Sequence, residues 1–161
     1  MQQKTGLIVL TVTILPNTMI FVSVTRLKVR SLWYLPGFMR ANETSVRQLL
    51  KTPGFEGGKE LVDKNLVFWT VTTWADEAAM KVFRNSAAHR KAMQKLPVWC
   101  NEASYLHWQQ AETVLPDWQT IHGKMVWEGK LTKVRHPTAA QEGKNYPPVQ
   151  WTKIQRPLKK R

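Results

Sequence analysis

The chain is short of cysteine, of acid and of long apolar runs. Its 161 residues include one cysteine, Cys100. That excludes a disulfide framework and any all-cysteine zinc site. The sequence holds 11 Asp and Glu against 24 Lys and Arg, a formal net charge of +13. Such an imbalance points first to a polyanionic partner. The apolar run at residues 7–15 falls far short of the ~20 residues that a membrane helix needs. Walker, Rossmann and serine-nucleophile motifs are absent, so nucleotide chemistry and triad hydrolysis have no support. No H-x-x-H or C-x-x-C pair brings the four histidines into a zinc pattern.

What is present suits one domain with a real core. The chain is 43% hydrophobic and carries eight tryptophans. Its charge is uneven. Lys4, Arg26, Lys28 and Arg30 face no acid in residues 1–30, and residues 31–129 are nearly balanced. From Lys130 onward every acid but Glu142 is missing, and the excess gathers there. The middle is therefore an ordinary mixed-charge body. Any nucleic-acid or anionic-membrane contact is expected only through the basic end, residues 130–161, which is Pro-punctuated and polar and reads as a flexible tail.

Residues 1–18 read as an extension, with Met19 as the natural beginning of the strand pattern. A signal or anchor led by Lys4 is the alternative, although LPNT follows the apolar run where a small-residue cleavage site would stand. The body is expected in the cytoplasm.

Alternation over 20–30 predicts a strand, with Phe21, Ser23, Thr25, Leu27 and Val29 on one side and Ile20, Val22, Val24, Arg26 and Lys28 on the other. Pro36 opens a helix that Pro53–Gly54 ends. Strands near Phe55–Val62 and Leu66–Trp74 flank a turn at Asp63-Lys64-Asn65. Asp76 caps a helix carrying Ala79, Met80 and Phe83, and Asn85–Ser86 interrupts it. His89, Ala92, Met93 and Leu96 continue on one stripe to Pro97, which should end the helix. The last strand, near Ala103–Gln110, sets Tyr105 and His107 against Leu106 and Trp108. A further helix carries Trp118, Ile121 and Met125.

The order β-α-β-β-α-β predicts an α+β, ferredoxin-like domain at residues 19–110: a four-stranded antiparallel sheet with its helices on one face. Residues 111–129 form an appended helix. The second sheet face is also apolar, and its expected cover is a second copy of the chain, making a homodimer.

His89 is the first candidate for chemistry. It shares a stripe with apolar residues facing the sheet, where an imidazole can serve as base or ligand, or simply be a hydrogen-bonded core histidine. His107 sits inward beside Tyr105. Arg26, Lys28 and Arg30 follow one strand and read either as an anion site or as a solvated strand end. Cys100 beside Trp99 reads as a buried thiol.

The segments FVSVTRLKVRSLWYLPGF, TPGFEGG, FWTVTTWADEAAMKVFRNSAAHRKAM and WCNEASYLHW resemble the dimeric α/β-barrel superfamily. They are most like an uncharacterised bacterial family related to antibiotic-biosynthesis monooxygenases, haem-degrading monooxygenases and spheroidene monooxygenase. The resemblance implies an oxidoreductase that holds an apolar aromatic or polyene molecule. By likeness to the haem-degrading branch, Trp74 matches a pocket tryptophan, His89 resembles the iron-ligating histidine, and Thr25 stands where an asparagine is usual. The antibiotic branch needs no prosthetic group. No cofactor is therefore the first expectation and haem, on His89, the second; no other metal is expected. The site implied has His89 as the catalytic group, with Thr25, Arg26, Trp69, Trp74, Phe83, Met93 and His107 around the substrate. A non-catalytic ligand-binding or stress-response dimer of the same fold is the alternative.

Overall fold

A computed structural model describes residues 19–160. The expectation for residues 1–18 lies outside the described residues.

Strand β1 (Ile20–Val29) is followed by a 3-10 turn at Leu32–Tyr34 and helix α1 (Leu35–Leu49). Pro36 lies in the first turn of α1, where a missing N–H costs nothing. Gly54 then takes φ +82, a left-handed conformation that turns the chain into β2 (Phe55–Asp63). A short turn at Lys64–Leu66 leads to β3 (Val67–Trp74). The Asp76 side chain accepts from Ala79 N at 2.8 Å, capping α2 (Glu77–Arg84). The chain breaks at Asn85–Ser86 and resumes as α3 (Ala87–Trp99) before β4 (Cys100–Gln110). Pro97 does not stop α3: it lies in the last turn, and its carbonyl accepts from Arg135 N at 2.9 Å. A proline there disrupts less than one in mid-helix, because few turns follow it.

The four expected strands pair antiparallel in the order β4-β1-β3-β2, as the ferredoxin-like pattern requires. The sheet is nevertheless six-stranded. After α4 (Trp118–Glu128), β5 (Lys130–Leu131) joins β4 at one edge. After α5 (Ala139–Gly143), β6 (Ile154–Leu158) joins β2 at the other. The basic end expected to be a flexible tail is thus part of the fold. Its Pro157 is tolerated because β6 is an edge strand and needs only one ladder.

This segment also accounts for the second apolar face. Val22, Val24, Trp69, Val71 and Leu106 pack under Trp118, Ile121 and Met125 of α4 and under Tyr146 and Val149. The cover expected from a second copy is supplied by the chain itself. Apolar pattern showed that the face needed covering, but not whose residues would cover it.

Arg26 is held in the same layer, 1% exposed. It donates to Glu102 Oε2 at 2.6 Å, and its guanidinium lies 4.0 Å from the centre of the Tyr146 ring. Lys28 and Thr138 also donate to Glu102. Burial pushes the Glu102 carboxyl up, but the hydrogen bond and charge of Arg26, with those of Thr138 and Lys28, outweigh it and hold the group below its ordinary value. Among the described residues no helix is long and apolar enough to cross a membrane.

Candidate functional site

The opposite face of the sheet forms the floor of a cleft of about 360 Å³ beneath α1, α2 and α3. Strand alternation decides which side chains reach it. Cross-strand pairing sets Tyr105, Thr25, Thr70 and Glu60 in one row, and His107, Ser23 and Thr72 in the row beside it. These two rows place hydroxyls, an imidazole and a carboxylate on the floor. Phe21 and Trp74 border them at one end, Leu27 and Phe68 at the other. The roof is mostly apolar, with Phe38, Val46, Phe83, Met93 and Leu96 among its residues. Such a chamber, apolar with a few convergent polar groups, suits a small flat molecule.

His89 stands in the roof because α3 restarts after the Asn85–Ser86 break. Its ring lies 4.7 Å from that of Phe83, and Phe83 lies 5.6 Å from Trp74. Burial, aided by the positive charge of Arg84, pushes the imidazole down to about 4. It is therefore neutral at pH 7 and able to accept a proton. Among the described residues no side-chain hydrogen bond orients it. His107, on the floor, packs against Phe21 and Tyr105 at 5.3 Å each. Burial lowers it too, against the opposing pull of Glu77.

Trp74 is wholly buried, and its indole N–H donates to Thr72 Oγ1 at 2.9 Å. It anchors one end of the chamber as a rigid wall. The β2 side of the chamber is flanked by the C-terminal segment. Arg156 of β6 donates to Glu60 at 2.6 Å and also reaches Glu43 of α1, while Asn42 donates to Glu60 at 3.1 Å. Glu60 is thereby locked into the wall between the helix and the sheet edge.

Of the residues expected around the substrate, Thr25, Trp74, Phe83, Met93, His107 and His89 all line this cleft. Arg26 and Trp69 do not. They are paired neighbours on β1 and β3 whose side chains point to the covered face, where they border a separate cavity of about 100 Å³. Their exclusion follows from alternation: Thr25 and Thr70 face the cleft, so the next positions cannot. Glu60, Asn42, Ser45 and Tyr105 also line the cleft. Tyr105 was legible beside His107, and Glu60 follows once the β2–β3 register is known. Asn42 and Ser45 lie on the polar margin of α1 and gave no signal. Cys100 is fully buried, and burial pushes its thiol up to about 12, so it is not a nucleophile at neutral pH.

No cluster of three His, Cys, Asp or Glu suited to a metal ion occurs among the described residues. Haem asks for an axial ligand and for cations opposite two propionates. His89 offers an imidazole, but among the described residues Arg84 is the only Lys or Arg lining the chamber, and Glu60 stands in its wall. The donor set does not fit that group.

No family model matches the sequence, and no curated protein matches it. Solved structures do. A candidate antibiotic biosynthesis monooxygenase from Nitrosomonas europaea is 12% identical with a TM-score of 0.53; the match covers 60% of this chain and 94% of that one. A protein of unknown function from the same organism is 13% identical with a TM-score of 0.52, over 63% and 98% of the two chains. A conserved protein from Methanosarcina mazei Go1 is 14% identical with a TM-score of 0.51, over 57% and 93%. These proteins are matched over nearly their whole length but leave more than a third of this chain unmatched. At such identities the likeness is one of fold: the chain is similar to the antibiotic biosynthesis monooxygenase-like proteins of the ferredoxin-like class.

Proposed function

We propose that the cleft binds a flat, largely apolar aromatic molecule and promotes its oxygenation by O₂, without a bound cofactor. The observation that carries this reading is the imidazole of His89 in the roof of an apolar chamber whose floor bears hydroxyls. A base held neutral at pH 7 can take a proton from a phenol or an activated C–H and leave an electron-rich anion. Where that anion lies beside a ring CH₂, conversion of CH₂ to C=O releases four electrons. One oxygen atom of O₂ enters the carbonyl and the other leaves as water, so the substrate is the sole reductant. In this reading Thr25, Tyr105 and His107 hold substrate oxygens, and Phe83 and Trp74 hold the ring; their shared lining of the cleft supports it. The apolar walls exclude water and strengthen each polar contact.

The test is oxygen uptake with a panel of polycyclic phenols, comparing the protein with His89→Ala. We expect the variant to lose about a hundredfold or more in rate, the range for a positioned base, while still binding the substrate. Full activity in His89→Ala would sink the role assigned to it. Haemin added to the protein should leave its Soret band unshifted; a shift that His89→Ala removes would replace this mechanism with a haem-linked one.

One observation favours a second reading. Among the described residues nothing holds His89 by an orienting hydrogen bond, and catalytic bases usually have one. A ligand-binding protein of the same fold would bind the phenols without consuming oxygen, so the same assay separates the two.

A further inference from the structure

The charge of this molecule is polarised along its strands. At one end of the sheet β1 stops at Val29, opposite Cys100. Arg30 N donates to Trp99 O there, and Arg135 N donates to Pro97 O, so the β1–α1 connection, the end of α3 and the chain after β5 meet. The β2–β3 turn, with Lys64, lies at the same end beside the Lys28–Val67 pair. The 3-10 turn at Leu32–Tyr34 projects from this surface. Its Leu32 is 70% exposed and its Trp33 is 92% exposed. Around it Lys64, Lys95 and Arg135 are exposed and make no ion pair among the described residues. Two of the acids at this end are consumed internally: Asp63 accepts from the backbone of Gln150 and Trp151, and Glu102 holds Arg26. Glu142 of α5 is the exposed acid on this side, against the three exposed cations. The exposed acids Glu56, Asp76, Glu77 and Glu112 stand at the far end of the strands.

We propose that this sheet end docks on an anionic lipid surface, with Leu32 and Trp33 inserted at the interface and Lys64, Lys95 and Arg135 over the headgroups. An aliphatic side chain next to a tryptophan, both turned to solvent from a short turn, suits the boundary between headgroups and acyl chains. Unpaired cations on three separate elements around that pair supply the attraction to negative lipid. A nucleic-acid strand would use an aromatic platform along a groove, and Leu32 would contribute little to it. The surface takes only Arg135 from the basic C-terminal segment, whose Arg156 is committed to Glu43 and Glu60. The inference does not depend on the chemistry of the cleft.

The experiment is flotation of the full chain with vesicles of phosphatidylcholine, with and without phosphatidylglycerol. We expect binding to the phosphatidylglycerol vesicles alone, weakening as salt is raised. Lys95→Ala and Arg135→Ala should each weaken it about fivefold. Leu32→Ser with Trp33→Ser should weaken it about tenfold or more, by the apolar area withdrawn; both residues are solvent-facing, so this variant folds. No binding to phosphatidylglycerol vesicles at low salt overturns the proposal. So does binding that these variants leave unchanged, which would place the contact elsewhere, such as the apolar run at residues 7–15. A loss with the charge variants alone overturns insertion of Leu32 and Trp33. Preference for a single-stranded oligonucleotide over the vesicles overturns the choice of partner.

Discussion

The titration of His89 links the cleft to the stability of the protein. Unfolded, its imidazole takes a proton near pH 6.5; folded, it does so at about 4, because burial and Arg84 oppose the charge. Between those values the unfolded chain holds more protons. Stability therefore falls as pH drops from about 6.5 to about 4, by at most roughly 1.4 kcal/mol per pH unit. Glu102 extends the loss. Its folded carboxyl is held below the ordinary value, so the stability it adds is present above pH ~4.5 and disappears as pH falls through its lowered value. We expect His89→Phe to make the stability profile shallower between pH 6.5 and 4, leaving the smaller slope that the lowered His107 supplies, and to leave the lower limb in place. Urea unfolding at a series of pH values measures both limbs. An unaltered upper limb would mean that folding leaves the affinity of this imidazole for its proton unchanged. In the oxygen-uptake assay, the rate should stay level from pH 8 to about 5, since the folded histidine remains a base throughout.

At the scale of elements, the C-terminal segment has the larger consequence. Ile121 and Met125 are fully buried against β1 and β3 through Val22, Val24 and Val71. Ile121→Asp places an unpaired carboxylate in that layer and should undock α4. We expect a loss of several kcal/mol, in keeping with a buried unpaired charge, and self-association through the uncovered face. Light scattering and thermal unfolding read both; an unchanged mass with an unchanged midpoint would show that α4 is not the cover. The body of the fold was legible because its signals are local: alternation in β1, the Asp76 cap, Pro53–Gly54 after α1. The edge strands were not. β5 has two residues, β6 contains Pro157, and each is stabilised by a neighbour distant in sequence. Composition sees lysines and prolines there; it does not see Leu158 joining Phe55 and Trp74. The site divided in the same way. His89, Phe83 and Met93 lie on a helical stripe that the sequence displays. Glu60 and Arg156 meet only through the β2–β6 pairing.

For the whole molecule, the question is which electrostatic effect dominates when salt is added. A net charge of +13 repels itself, and screening relieves that repulsion across the surface. Against it stand the ion pairs. The Arg26–Glu102 pair is almost fully buried and is little screened. The pairs Lys81–Glu77, Lys124–Glu128 and Lys160–Glu56 are exposed, and such pairs contribute about 0–1 kcal/mol each. Losing them offsets only part of what screening returns, because thirteen excess cations act on one another throughout a small body. We therefore expect the unfolding temperature to rise by a few degrees when ionic strength increases from about 0.01 to 0.15 M, as the Debye length contracts from ~30 to ~8 Å. Most of the gain should come from residues at the basic sheet end, where exposed cations outnumber exposed acids among the described residues. Lys64→Glu should then raise the midpoint at low salt and reduce its response to salt. A midpoint that falls with salt would mean that the exposed pairs outweigh the repulsion, and that the basic sheet end is stabilised by charges not counted there.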